Sequence, residues 1–198
     1  MRPSTPNLYK TMRIMSGVKR IPVERANEGE PRPINPQRHP NAMMRIGIIS
    51  DTHGLLRPEA IKQFAKAEHI IHAGDIGAPG VIEGLRQIAP TTAVRGNIDT
   101  CAWAKDYPDS ELVVLGGRSF YVLHNLKEIQ LDPAASGFDV VVSGHSHRPK
   151  IETKTGVLYV NPGSAGPCRF KLPIAIAILT LSDRAILPRV LELAPLDE

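Results

Sequence analysis

The sequence predicts an α/β fold in which two mixed β-sheets pack together with helices on the outside. Two observations carry that reading. Residues 45–96 alternate strand, helix, strand, helix, strand, the pattern of parallel βαβ units. Residues 111–193 then switch to strand pairs separated by turn signals, the pattern of hairpins.

Each element has a local reason. RIGIIS (45–50) is a short apolar run of strand length, and LRPEAIKQFAKA (56–67) reads as a helix with Pro58 in its first turn. HIIHAG (69–74) and TTAVRG (91–96) are further strands, flanking a second proline-opened helix, PGVIEGLRQIA (79–89). ELVVLGGRSFYVLH (111–124) predicts a hairpin turning at Gly116-Gly117. A short helix is expected around 126–135, then a strand in DVVVSG (139–144). Residues 150–164, 173–183 and 184–193 are strand-like with turns between them. No repeat of 20–50 residues is evident.

Composition narrows the function. The chain has 198 residues, enough for one ordinary α/β domain with something left over. No apolar run approaches the ~18 residues of a membrane span, so no membrane role is expected. Cys101 and Cys168 form neither a disulfide framework nor a CxxC pair, and no apolar segment follows the early positive charges. A cytoplasmic location is therefore expected.

Residues 1–43 carry eight Lys/Arg and three Glu, a balance of +5, which leaves about −1 of the net +4 on residues 44–198. A basic tail on a near-neutral domain does not make a nucleic-acid-binding face. The tail is rich in Pro, Arg and Asn and is expected to be disordered, with residues 44–198 as the folded domain. An inert extension or an artefact of start-site choice is favoured over a targeting segment or a partner-binding arm.

The polar residues of interest fall at the C-terminal ends of the strands, where open α/β sheets place their ligand crevice. They are Asp51 and His53 in SDTHG, Asp75 in GD, Asn97 in RGN, His124 after the hairpin, and His145 and His147 in GHSH. A single Asp after a strand is more often a turn cap, and a single His more often packs or bonds locally. Five successive strand ends delivering only carboxylate, imidazole and carboxamide groups are harder to explain that way. The D-x-H and H-x-H spacings would let residues i and i+2 leave an extended segment on one side. Four imidazoles, two carboxylates and one amide suit Mn, Fe, Zn or Ni, and seven donors suit two ions sharing one carboxylate.

The series DTH, GD, GN, H and GHSH closely resembles the calcineurin-like metallophosphoesterase superfamily, and within it the small bacterial and archaeal phosphodiesterase group. NPGS at Asn161–Ser164, with Arg169 downstream, fits the same group, and the resemblance spans about residues 44–198. It implies a four-layer α/β/β/α sandwich and two divalent ions, Mn first. Asp51, His53 and His147 would hold one ion, Asp75 would bridge, and Asn97, His124 and His145 would hold the other. A hydroxide between the ions would be the nucleophile, with Asn97 helping to orient a phosphoryl oxygen.

Two positions depart from the pattern. Many members carry His directly after the GN asparagine, where this chain has Ile98 followed by Asp99. Without that acid, leaving groups needing little protonation should be favoured. Asp99 would either orient a metal-bound His or cap a turn. Asn125 stands where glycine usually follows His124, and Asn tolerates positive φ well.

Arg169 is a candidate phosphate contact, against an ordinary loop arginine. His69 and His72 are read as packed or hydrogen-bonded histidines, His39 has no role, and Cys101 and Trp103 are read as loop packing. The expected partner is a small phosphoester. A homo-oligomer is compatible with the sequence. The competing functions are a non-catalytic scaffold subunit of the same fold, as in membrane-trafficking coats, and a nuclease. Intact donors at every ligand position argue against the first, and the near-neutral domain against the second.

Overall fold

A computed structural model describes residues 43–168 and 171–193. Arg169, residues 1–42 of the expected tail and residues 194–198 lie outside the described residues. Among the described residues, ten strands and two α-helices follow one another: β1 (Met44–Ile49), α1 (Pro58–Phe64), β2 (His69–Ala73), α2 (Pro79–Arg86), β3 (Thr91–Val94), β4 (Ser110–Leu115), β5 (Arg118–Leu123), β6 (Val140–Val142), β7 (Lys150–Lys154), β8 (Val157–Asn161), β9 (Ala175–Leu181) and β10 (Ile186–Glu192).

The strands form two five-stranded mixed sheets. The first runs β10-β9-β1-β2-β3, with β1, β2 and β3 parallel and β9 antiparallel to β1. The second runs β4-β5-β6-β8-β7, with a parallel centre and antiparallel hairpins at both edges. Ile46, Ile48, Ile71 and Val94 of the first sheet meet Phe120, Val122, Val140, Val142 and Val160 of the second in one buried cluster. The other face of the first sheet buries Ile49 and Ile70 against Phe64 of α1 and Val81, Ile82 and Leu85 of α2. Fully burying each such side chain contributes about 1.5–3 kcal/mol before chain entropy is counted. This double burial is why β1 and β2 read as unbroken apolar runs.

Both helices begin on a proline whose missing N–H costs nothing at a helix start. They are shorter than expected, because α1 ends near Phe64 and the last residues before β2 and β3 form single turns. The hairpin β4–β5 turns at Gly116-Gly117, where φ values of 58° and 77° suit a residue without a side chain.

The helix expected over 126–135 does not form. Its place is taken by a 3-10 turn, Leu126–Glu128, followed by turns. Asp132 Oδ1 accepts the backbone N–H groups of Ala134 and Ala135, and Pro133 has no N–H to give a helix. The outer face of the second sheet is covered thinly, by Leu126, Ile129 and Ala134 over Leu123, Val141 and Val157. A 3-10 helix that the sequence pattern does not announce, Ala102–Asp106, sits between β3 and β4. Among the described residues no helix is long and apolar enough to cross a membrane.

Candidate metal centre

Seven side chains predicted from strand ends converge at one edge of the two sheets. Asp51 and His53 follow β1, Asp75 follows β2, Asn97 follows β3, His124 follows β5, and His145 and His147 follow β6. The first sheet brings the first four and the second sheet the last three, so the cage exists only because the sheets pack face to face.

The donor atoms fall into two groups. His147 Nε2 lies 3.2 Å from Asp51 Oδ1 and 3.5 Å from His53 Nε2. Asn97 Oδ1 lies 3.2 Å from His124 Nε2 and 3.0 Å from His145 Nδ1. Asp75 stands between them, with Oδ1 3.3 Å from His124 Nε2 and Oδ2 4.0 Å from His53 Nε2. Asp51, Asp75 and His124 also offer atoms within 4.8 Å of one another, so Asp51 walls both halves.

At His124 these contacts pair an acceptor with acceptors. His124 Nδ1 donates to the carbonyl of Ala73 at 2.8 Å, so in the neutral ring Nε2 is a bare lone pair facing two oxygens. Asp51 Oδ1 is buried with no hydrogen-bond donor among the described residues. Lone pairs converging in this way, from nitrogen and oxygen donors without thiolate, fit divalent cations of the Mn, Fe, Zn or Ni kind.

The metal-free electrostatics agree. Burial pushes the Asp51 carboxyl above its ordinary range, against the opposing bond from Ser50 Oγ. Burial is the largest single influence and works against ionisation of Asp75 and His124 too, but their mutual hydrogen bond, their charge attraction and the backbone bonds to Ile98 and Ala73 together outweigh it. Asp75 is held below the usual carboxylate range and His124 above the usual imidazole range. A proton on His124 thus does part of what a cation would do.

The backbone beneath the cage is unusual. Asp51, His53, Asp75, His145 and His147 all have positive φ, between 48° and 67°. The D-x-H and H-x-H pairs therefore do not lie on extended segments, as the spacing suggested. Two left-handed residues flank one ordinary residue in each, and that curls both side chains into the same crevice. Such conformations cost roughly 1–2 kcal/mol per residue and persist only where neighbours over-determine them.

The neighbours are identifiable. Asp51 N donates to Gly74 O, His53 N to Asp75 O and Gly54 N to Ile76 O, which zips the β1 loop to the β2 loop. The NPGS segment closes over the same loop. Ala165 N donates to Ser50 O, Gly166 N and Ser164 Oγ donate to Asp51 O, and the buried Arg57 guanidinium holds Gly166 O.

Asp99 accepts the backbone N–H groups of Ile76, Gly77 and Gly96 at 2.8–2.9 Å. It clamps the β2 loop to the β3 loop, a geometry that fits the turn-capping reading. Asn125 needs no glycine-like freedom: its φ is −105°, and its Oδ1 caps the 3-10 turn by accepting from Lys127 N. His69 bonds Thr92 Oγ1, Trp103 packs edge-on to Tyr107, and Cys101 is exposed, all outside the cage. Ile98 follows Asn97 in the chain with 41% of its surface exposed.

Known proteins resemble this chain in sequence and fold. The calcineurin-like phosphoesterase superfamily domain matches residues 44–184. A protein of Methanocaldococcus jannaschii named as a probable metallophosphoesterase is 32% identical over 150 residues, covering 71% of this chain and 78% of its own length. The structure of an archaeal phosphodiesterase superposes with a TM-score of 0.62 at 30% identity, covering 75% of this chain and all of the other. Vacuolar protein sorting 29 from Cryptosporidium parvum shares the fold, with a TM-score of 0.63 at 18% identity over 77% of this chain and 99% of its own. With the two mixed sheets and the donor series in place, the chain belongs to the calcineurin-like phosphoesterase superfamily.

Proposed function

We propose that the chain is a dinuclear metal-dependent phosphodiesterase acting on small phosphodiesters. The observation that supports this best is the division of seven donors into two groups spanned by Asp75. In this reading Asp51, His53 and His147 hold one divalent ion, Asn97, His124 and His145 hold the second, and Asp75 is shared. When bound, the two ions supply Lewis acidity and an activated water for in-line attack at phosphorus. Arg169 remains a proposed phosphate contact, and residues 1–43 a proposed extension to a domain at 44–198.

The chain's own side chains set the rest. Ala73 O fixes the His124 ring so that Nε2 faces the crevice, and the His145 backbone N–H holds Asp51 Oδ2 at 3.1 Å. Asn97 presents Oδ1 inward, which leaves its amide nitrogen for a phosphoryl oxygen. Ile98 supplies no proton to a departing oxygen, so the better substrates are esters whose leaving groups depart as stable anions.

The test is Mn²⁺-stimulated hydrolysis of an aryl phosphodiester and an aryl phosphomonoester, with Asp75→Ala and His124→Ala beside the wild type. Diester turnover should exceed monoester turnover and fall at least about a hundredfold in both variants, as for removal of a group that stabilises the transition state. If the metal-loaded wild type hydrolyses neither ester, the enzyme reading fails and a scaffold role of the kind open to this fold takes its place.

A further inference from the structure

We infer that His72 and Thr52 form a positioning pair beneath the cage, whose Nε2–H···Oγ1 bond tunes metal affinity by fixing the loops that carry Asp51, His53 and Asp75. The inference rests on the two-metal reading of those residues. Neither member of the pair is itself one of the seven donors.

The bond directions can be read from the partners. His72 and Thr52 are wholly buried. The backbone N–H of Gly74 points at His72 Nδ1 at 3.2 Å, so that nitrogen carries no proton. In the neutral ring the proton is therefore on Nε2, which donates to Thr52 Oγ1 at 2.9 Å. Thr52 Oγ1 in turn donates to Ile76 O, also at 2.9 Å. The result is a chain with one direction, Gly74 N–H to His72 to Thr52 to Ile76 O, in which each donor meets an acceptor.

Its ends are informative. Thr52 stands between Asp51 and His53, and Gly74 and Ile76 flank Asp75. All three flanked residues are left-handed, with φ of 53°, 48° and 54°. The backbone zipper between the loops fixes how far apart they are. The side-chain relay adds a second, crossing set of bonds from the β2 strand end, and so restrains rotation of each loop about the zipper. An apolar pair would fill the same space without the cost of burying an imidazole and a hydroxyl. The polar pair is explained if direction matters there.

The experiment uses the full chain, stripped of metal with chelator, titrated with Mn²⁺ by calorimetry well below Tm. Thr52→Val and His72→Leu remove the bond. Thr52→Ser restores the hydroxyl, and His72→Gln offers an amide N–H where Nε2–H stood. The bond-breaking variants should weaken Mn²⁺ binding about 10–100-fold, the size typical for groups that orient metal ligands, while Ser and Gln stay within about threefold of wild type. A purely structural pair would lower Tm in Thr52→Val and leave Mn²⁺ affinity unchanged, and that result overturns the inference, as does equal loss in Thr52→Val and Thr52→Ser. Should Thr52→Val fail to fold, His72→Gln against His72→Leu makes the same comparison. Mn²⁺ binding without ester hydrolysis defeats the proposed activity but leaves this inference standing; absence of Mn²⁺ binding by the wild type defeats both.

Discussion

Acidifying the metal-free protein from pH 7.5 to 5.0 isolates one buried group whose contribution can be calculated. Complete burial, with His124 and His53 nearby, pushes His72 down from 6.5 to about 3 against the opposing charge of Asp75. In the unfolded chain the imidazole returns to its ordinary value and takes up a proton below about 6.5. Between pH 6.5 and 3 the unfolded state therefore binds more protons than the native state, and stability falls as pH falls. At pH 5.0 the difference amounts to about 1.5 pK units, or about 2 kcal/mol relative to pH 7.5. Asp51 and His124, both raised, act in the opposite sense: they contribute stability at low pH that is lost as pH rises through their folded values. The comparison is therefore with His72→Gln, which keeps those groups and removes the titrating ring. Urea unfolding followed by circular dichroism, at both pH values and in chelator, should show the wild type losing about 2 kcal/mol more than the variant. Losses that agree within about 0.5 kcal/mol would show that His72 is not buried in the neutral form, and the hydrogen-bond directions assigned to it would fall too.

Three further outcomes follow from the same geometry. Because His124 holds its proton above the ordinary imidazole range, Mn²⁺ must displace it, so apparent affinity should tighten from pH 6.5 to 8.0 with proton release visible in calorimetry across buffers of different ionisation enthalpy. In Gly144→Ala the new Cβ would overlap Ser50 Oγ and stand 2.7 Å from Asp51 Oδ2, so Mn²⁺ binding should weaken at least about tenfold by calorimetry, and unchanged affinity would contradict the close approach of these loops. Ile98→His places a proton donor at an exposed position next to Asn97, and should raise the monoester-to-diester ratio of kcat/KM by about tenfold or more, measured on paired aryl esters.

Much of this was legible in the sequence for one physical reason: strand ends of an open α/β sheet converge, so polar residues at successive strand ends become neighbours. The parallel β1-α1-β2-α2-β3 unit and the Gly116-Gly117 hairpin followed from period and turn chemistry. Periodicity could not say that β9 would return to pair beside β1, because that contact spans more than a hundred residues. Nor could it forecast the loss of a helix after Leu126, where the Asp132 side chain and Pro133 overrule the apolar pattern. Asp99 was recognisable as a polar residue near the cage, but its three backbone partners come from two loops, and only the folded chain brings these together. The D-x-H spacing pointed to residues that do converge, but through a left-handed backbone rather than an extended one, and nothing in the residue types Asp and His specifies that backbone.

That left-handed backbone also allows a last test, because one example lies far from the cage. Thr155 has φ 47° in the tight turn Thr155-Gly156 between β7 and β8, where Gly156 has φ 80°. Two consecutive positive φ values mark the hairpin turn that favours Asn-Gly, and a β-branched residue is poorly suited to the first position. At Asp51, His53, Asp75, His145 and His147 the side chain cannot be traded away without losing a proposed donor, so the strain stays and the surrounding bonds hold it. At Thr155 no such donor is at stake. Thr155→Asn should therefore raise stability by roughly 1 kcal/mol, seen as a Tm increase of a few degrees, with Mn²⁺ affinity and diester turnover unchanged. A lower Tm would show that the turn is not strained at Thr155, and would remove the contrast between strain kept at the cage and strain merely tolerated elsewhere.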